Sequence, residues 1–364
     1  MQKNPVPCYY GDYLQLGKLL DAQLPQSRVY GTEAHDETLF IIVHQAYELW
    51  FKQILHELRS AQATMATESL DERQLGTLIA RFERIRSIQK VLVDQISILE
   101  TMTPLDFLDF RDYLIPASGF QSIQFKEIEI RLGLKRAFRS ETDRKFFYSR
   151  LNEPDRAYLA DREAEQSLLD HIEAWLTRMP FLDFGGFNFW LEYEKAVDVM
   201  LHADEQIVRD NPTLSEDERA FQLKELNATR DNFRSLLSPE RYAEMQAAGR
   251  VRLSQRALLA ALFINLYRDE PILHLPFKLL MNLVEVDELF TTWRSRHALM
   301  VHRMLGSKIG TGGSSGVDYL KMGAEQNRVF TDLFNLSTFL LPRSALPALP
   351  TDMTRALGFH FTGQ

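Results

Sequence analysis

The segment from Leu283 to Leu305 reads LVEVDELFTTWRSRHALMVHRML and carries the clearest structural pattern in the chain. Its apolar stripe steps by three and four residues through Leu283, Val286, Phe290, Trp293, His297, Met300 and Met304. That spacing returns to one face of an α-helix at every turn, so the segment predicts an amphipathic helix. His297 falls on the stripe, whereas His302 is rotated by about 140° and falls on the polar side. The two imidazoles therefore cannot bind one metal ion from adjacent turns.

Helical spacing recurs along most of the chain. One segment, beginning after Asp36, keeps apolar residues on one face for some six turns: Phe40, Val43, Tyr47, Trp50, Ile54 and Leu58. Other helical segments cover roughly residues 72–100, 104–115, 163–178, 191–240 and 252–268. The charge density of 191–240 is typical of exposed or oligomer-building helices. Few segments alternate with period two, so we predict an all-α fold in a single domain over residues 1–364.

Composition excludes several classes of protein. The chain has 364 residues, of which 45% are hydrophobic, and only 17 are Gly and 14 Pro, which is typical of a globular protein with a large core. Its formal net charge of −8 disfavours nucleic acid as a partner. The longest nearly unbroken apolar run, 257–267, is about half the ~20 residues that span a bilayer, so no membrane segment is expected. A lone cysteine, Cys8, and an N-terminus without an apolar signal region predict a cytoplasmic location.

Two histidines lie on apolar helix faces and could carry chemistry. His297 could be a core histidine bonded to a carbonyl or carboxylate, or its inward nitrogen could bind a metal. His44, four residues after Phe40, raises the same question and could equally be structural. Neither a His-Glu-x-x-His nor a Glu-x-x-His motif occurs, which disfavours common zinc and di-iron sites. Haem fits better, because the porphyrin supplies four nitrogens and the protein needs to supply only one axial histidine.

A third anomaly is Arg111, a guanidinium on an apolar helix face. Thr103-Pro104 indicates the start of this helix, and Phe107, Phe110, Arg111 and Leu114 share one side of it. Arg111 could bind a carboxylate through two parallel hydrogen bonds. It could also extend to solvent, or pair with Asp109 or Asp112.

The cluster Gly310–Gly316 (GTGGSSG) contains three hydroxyl side chains among its glycines. No strand precedes it and no Gly-Lys-Ser/Thr follows, which excludes a phosphate-binding P-loop. It could be a flap that closes on a polar ligand or a plain flexible connector.

Several longer motifs resemble those of the tryptophan 2,3-dioxygenase family, in order and spacing, over about residues 9–345. The matching blocks are Tyr10–Leu16 (YGDYLQL), His35–Trp50 (HDETLFIIVHQAYELW), Leu99–Arg111 (LETMTPLDFLDFR), Pro116–Ser122 (PASGFQS), Gly186–Trp190 (GFNFW), His302–Gly316 (HRMLGSKIGTGGSSG) and Asp332–Arg343 (DLFNLSTFLLPR). The resemblance implies an all-helical enzyme with haem b, ferrous for activity. Such an enzyme inserts both atoms of O₂ across the C2–C3 bond of the L-tryptophan indole and forms N-formyl-L-kynurenine, the first step of the kynurenine pathway.

The resemblance also implies roles for individual residues. His297 matches the axial ligand of the haem iron, with Trp293 beside the porphyrin, and His44 matches the catalytic histidine that accepts a hydrogen bond from the indole N–H. Arg111 matches the partner of the substrate carboxylate, and Thr311 a residue that contacts the substrate's ammonium and carboxylate. The remaining substrate-pocket matches are Phe40, Phe107, Leu114, Ser118, Tyr10 and Tyr13.

Assembly is also implied by the resemblance. The family forms homotetramers, as dimers of dimers, in which the segment matching residues 1–35 reaches a neighbouring subunit's site. The charge-rich stretch of about 133–260 resembles a helical insertion of the longer family members. Two alternatives remain open: a haem monooxygenase paralogue acting on a modified indole amino acid, and a non-enzymatic haem sensor or carrier.

Overall fold

A computed structural model describes the backbone of residues 6–306, 308 and 316–359, and their side chains except those of 72, 142, 146 and 316–318. The α-helices are α1 (Tyr10–Tyr13), α2 (Leu16–Leu20), α3 (Gln26–Tyr30), α4 (His35–Met65), α5 (Glu72–Leu99), α6 (Pro104–Arg111), α7 (Ile123–Leu132), α8 (Glu141–Ser149), α9 (Glu153–Ala164), α10 (Leu168–Thr177), α11 (Phe189–Asp210), α12 (Glu216–Leu237), α13 (Pro239–Ala247), α14 (Gln255–Leu266), α15 (His274–Leu305), α16 (Gly316–Gln326), α17 (Thr331–Asn335) and α18 (Thr351–Leu357). The prediction of an all-α fold is confirmed.

Short 3₁₀ helices connect several of these elements. They cover Asp112–Leu114, Gly119–Gln121, Arg136–Phe138, Pro180–Leu182, Pro271–Leu273, Leu336–Phe339 and Arg343–Ala345. A short antiparallel hairpin was not predicted. Its strands, β1 (Asp183–Phe184) and β2 (Phe187–Asn188), have two residues each. Gly185 and Gly186 form its turn with φ of 55° and 88°, a left-handed conformation that glycine adopts without strain.

The core is built around three long helices, α4, α5 and α15. Helix α15 packs along α5, and α4 packs against α5 and α7. The apolar stripes predicted from the sequence meet here, since Ile54, Leu58, Phe82, Ile85 and Leu283 all lie fully buried in one hydrophobic cluster. These three helices form the framework on which both candidate histidines are carried.

Helix ends follow local capping chemistry. Asp71 and Gln74 form a capping box at the start of α5, and Thr103 and Asp106 form another at the start of α6, where Pro104 occupies the first turn. Helix α15 ends before Gly306, whose φ is 59°. Each of these signals is local, so each could be identified from the sequence.

Several predicted boundaries were wrong. Helix α4 has 31 residues rather than about six turns, and α15 begins at His274, nine residues before Leu283. The predicted helix over 104–115 ends at Arg111 and continues only as a 3₁₀ turn, and 191–240 divides into α11, α12 and the start of α13. Ser215 caps α12 with its side chain, which starts a new helix where the sequence pattern predicted a continuous one.

No helix among the described residues is long and apolar enough to cross a membrane.

Candidate active site

His297 lines a cavity from the inner side of α15. Its ring stacks on that of Trp293, one turn earlier, with ring centroids 5.2 Å apart and planes inclined by 3°. Among the described residues His297 has no hydrogen-bond partner. Burial, and then the nearby His44, lower the pKa of His297 to about 4. The imidazole is therefore neutral near pH 7, and at least one of its nitrogens offers a lone pair.

His44 lines the same cavity from α4. Its Nδ1–H donates a hydrogen bond to the Phe40 carbonyl oxygen, at 2.7 Å, because a carbonyl can only accept. Burial lowers the pKa of His44. In the neutral ring, Nε2 is then the nitrogen without a hydrogen. The Phe40 ring packs on the imidazole at 4.1 Å and fixes its orientation. His44 thus presents an acceptor nitrogen, which suits a ligand with an N–H group.

The cavity lies among α4, α5, α6, α7, α8, α15 and α16 and has a volume of about 300 Å³. That is at the lower end of the roughly 300–1,000 Å³ of pockets that bind drug-sized ligands. Aromatic side chains form much of its wall, since the Trp293 ring lies 5.0 Å from Phe125 and 6.4 Å from Phe51. The wall of the cavity is therefore largely aromatic on the side of Trp293.

Six of the residues predicted for the site line this cavity: Phe40, His44, Phe107, Ser118, Trp293 and His297. They come from α4, α6, α15 and the segment before α7, so the tertiary fold brings together residues that are far apart in the sequence. Phe40 and Phe107 pack against each other with centroids 5.7 Å apart. Two rings that match walls of an indole pocket therefore lie side by side next to His44.

Arg111 and Leu114 are not among the residues that line the cavity. The Arg111 side chain is 15% exposed, and its Nη1 lies 3.5 Å from a carboxylate oxygen of Asp112. Because Phe107 lines the cavity one helical turn earlier, Arg111 is on the same side of α6. The contact with Asp112 is one of the alternatives that the sequence left open.

Tyr10 and Tyr13 lie on the short helix α1 and are 71% and 74% exposed. They are not among the residues that line the cavity within this chain. Thr311, together with most of the Gly310–Gly316 cluster, lies outside the described residues.

Sequence reasoning missed a buried polar network at the wall of the cavity. Glu129 of α7 accepts hydrogen bonds from Arg139 at 2.9 Å and from Arg294 at 2.6 Å. Asp143 of α8 accepts from Arg139 at 2.8 Å and from the Tyr319 hydroxyl at 2.6 Å. Burial alone would raise the pKa of Glu129, but the guanidinium groups of Arg139 and Arg294 together lower it. The network joins α7 and α8 to α15 and α16.

The only sequence signal for this network was the density of charge in α7. Seven consecutive residues of that helix, 126–132, are buried, although four of them are charged. Local patterning assigns such residues to an exposed face. Their partners come from distant segments, so the sequence alone could not identify the pairing.

We expect Glu129→Gln to lower the free energy of unfolding by about 3 kcal/mol, because it leaves two buried guanidinium groups without their shared anion. Urea unfolding measures the difference. The matched control is Asp269→Asn, which breaks a surface ion pair between Asp269 and Arg343. The Asp269 side chain is 67% exposed and that of Arg343 is 72% exposed. The control should change stability by less than about 1 kcal/mol. Equal losses in the two variants would contradict the assignment of a structural role to the buried network.

The site fits a haem group. A haem needs one neutral imidazole as axial ligand and a flat, largely apolar space beside it. His297 offers such an imidazole, held in plane by Trp293, and the aromatic wall supplies the space. His302, which helical phase excludes as a ligand, is exposed on the outside of α15.

Comparison with known proteins gives the family. The family model for tryptophan 2,3-dioxygenase matches residues 3–340. A tryptophan 2,3-dioxygenase of Alteromonas mediterranea is 54% identical over 360 residues, covering 99% of each chain. That of Bdellovibrio bacteriovorus is 48% identical, covering 98% of this chain and 99% of its own, and that of Mus musculus is 46% identical, covering 93% and 84%. On its sequence, its helical fold and its cavity, the chain belongs to the tryptophan 2,3-dioxygenase family.

Proposed function

We propose that the protein is a haem-dependent dioxygenase that cleaves the C2–C3 bond of the L-tryptophan indole with O₂ and forms N-formyl-L-kynurenine. The reaction is the first step of tryptophan degradation by the kynurenine pathway. Family membership makes the chain an oxidoreductase acting on tryptophan. The observation that carries the proposal is one aromatic cavity lined by two neutral imidazoles, those of His44 and His297.

In this proposal His297 binds the haem iron and Trp293 supports the His297 ring. When bound, ferrous haem b supplies the iron that activates O₂, a reaction for which amino-acid side chains have no equivalent. The low pKa of His297 supports this role, because only a neutral imidazole can coordinate a metal.

The protein's own contribution is to position the indole and exclude water. His44 accepts a hydrogen bond from the indole N–H through Nε2, while Phe40 and Phe107 hold the ring between apolar surfaces. His44 does not need to remove the proton, so its low pKa is compatible with the role. Orientation of the substrate is the effect that this side chain supplies.

Polar groups of the amino acid need separate partners. We propose that Arg111 binds the substrate carboxylate and that Thr311 contacts its carboxylate and ammonium groups. Ser118 and Leu114 complete the pocket. Tyr10 and Tyr13 act in a neighbouring subunit's site, in a homotetramer in which the segment 1–35 crosses between subunits. Their high exposure in the single chain supports this arrangement. A cytoplasmic location stays a prediction.

The pH dependence of turnover tests the role of His44. Because burial lowers its pKa from the ordinary 6.5, we expect kcat/KM for L-tryptophan to stay constant as the pH falls through 6.5 and to decline only below it. A protonated His44 would donate at Nε2 and could no longer accept the indole N–H. His44→Ala should lower turnover about 2- to 10-fold while haem stays bound. Loss of activity centred at pH 6.5 in the unaltered enzyme would contradict the proposal.

The product distinguishes dioxygenase from monooxygenase. The purified protein, loaded with haem and reduced, is given L-tryptophan under ¹⁸O₂, and the product is analysed by mass spectrometry. Two labelled oxygen atoms in N-formylkynurenine support the proposal. One labelled atom would favour the monooxygenase alternative, and a haem spectrum without oxygen uptake would favour a sensor or carrier.

A further inference from the structure

We propose that Lys126 of α7 anchors a carboxylate inside the cavity, and that this carboxylate is a propionate of the haem. The inference rests on the proposed function and adds to it an anchoring residue for the cofactor. It comes from a buried ammonium group that lines the cavity among carboxylates already bonded to other residues.

Lys126 is only 7% exposed and lines the cavity that also contains His297. Its Nζ lies 4.0 Å from the centroid of the Phe147 ring, in a cation–π contact. Among the described residues the Lys126 ammonium has no hydrogen bond and no ion pair. Burial lowers the pKa of Lys126 to about 8, so the group still carries its charge at pH 7. A buried ammonium has three donors, and a ring face satisfies none of them as a hydrogen bond.

The two carboxylates that act electrostatically on Lys126, those of Glu129 and Asp143, already accept hydrogen bonds from other residues. Glu129 uses one oxygen for Arg139 and the other for Arg294. Asp143 accepts a hydrogen bond from Arg139 at Oδ2, where the Asn327 side-chain nitrogen also lies 3.4 Å away. Its other oxygen, Oδ1, accepts from the Tyr319 hydroxyl. These bonds leave Lys126 facing both anions without pairing with either. Because the two arginines balance the two carboxylates, Lys126 leaves this region of the cavity wall with one net positive charge.

An uncompensated buried charge costs free energy. We therefore expect an anion from outside the chain to bind at Lys126. The proposed reaction brings two sources of carboxylate into the cavity, the haem propionates and the amino acid. Lys126 lies on the side of the cavity next to α15, the helix that carries His297. The ring centroid of its neighbour Phe125 is 5.0 Å from that of Trp293, and Glu129, on the same helix as Lys126, accepts a hydrogen bond from Arg294. The proposed partner of the amino acid, Arg111, is carried by α6 instead. This placement favours the propionate.

Haem binding tests the proposal without any measurement of turnover. The rate of haem loss to an excess of apomyoglobin is measured for the unaltered protein, Lys126→Met and Lys126→Arg, with haem b and with its dimethyl ester. Lys126→Met should lose haem b about 10- to 100-fold faster, as expected for one charge-assisted hydrogen bond. Lys126→Arg should keep most of the affinity. The ester should be lost at similar rates from the unaltered protein and from Lys126→Met, because it has no carboxylate.

The matched control is Lys135→Met, which removes a lysine of the same region that pairs with Asp170 and does not line the cavity. Its haem loss should be unchanged. The urea midpoint of the haem-free Lys126→Met protein should equal or exceed that of the unaltered haem-free protein, because a buried unpaired charge has been removed. A lower midpoint would indicate a merely structural role and overturn the proposal.

Two further outcomes separate the proposal from its basis. Unchanged haem loss in Lys126→Met with a raised KM for L-tryptophan, but not for tryptamine, would assign Lys126 to the substrate carboxylate and overturn the propionate assignment. If Lys126→Met formed N-formylkynurenine and bound haem as tightly as the unaltered protein, the proposed function would stand and this inference alone would be contradicted. Failure of the unaltered protein to bind haem would overturn both.

Discussion

His297→Ala is expected to abolish the absorption spectrum of a histidine-ligated haem and to reduce kcat by more than about 100-fold. Loss of a residue that only supports a metal ligand typically costs about 10- to 100-fold, and loss of the ligand itself should cost more. The imidazole has no hydrogen-bond partner among the described residues. Its removal therefore breaks no hydrogen bond among the described residues and loses only the stacking contact with Trp293, so the variant should fold.

Two comparisons make this expectation specific. His302→Ala, on the exposed face of the same helix, should leave spectrum and turnover unchanged. Imidazole added to His297→Ala should partly restore the spectrum, because the substitution leaves a space of its own shape beside Trp293. If His297→Ala kept both the spectrum and full activity, the ligand assignment would be wrong.

Tryptamine, which lacks the carboxylate of tryptophan, is expected to react with a kcat/KM about 30- to 1,000-fold lower than L-tryptophan. The estimate corresponds to about 2–4 kcal/mol for removing the substrate carboxylate from a largely buried guanidinium, that of Arg111. Arg111 is 15% exposed, so water compensates only in part for the missing carboxylate. Steady-state kinetics with both substrates measures the difference.

A double-mutant cycle assigns the effect to Arg111. In Arg111→Met the preference for tryptophan over tryptamine should largely disappear, since neither substrate then has a charged partner. Arg111→Lys should keep part of the preference, because an ammonium retains the charge but not the paired geometry. An undiminished preference in Arg111→Met would show that another residue binds the carboxylate.

Local patterns predicted much of the fold. Helix α5 was predicted over 72–100 and covers Glu72–Leu99, because its apolar spacing lies within the segment, and its capping box begins at the preceding residue, Asp71. Helix α15 was predicted too short, since its first turns depend on burial of Leu279 and Leu280 against other helices. Helix phase also separated His297 from His302 without any knowledge of the tertiary structure.

By itself, the sequence determined which stretches are helical, which face of each is apolar, and which histidine on α15 turns inward, because each of these depends on residues three or four positions apart. The tertiary structure alone decided that His44 and His297 share one cavity. It also decided that Glu129 and Asp143 are hydrogen-bonded to arginines, whereas the Lys126 ammonium pairs with no carboxylate among the described residues. Buried charges are paired across helices distant in sequence, so the free energy that sets their partners and pKa values arises only when those helices pack.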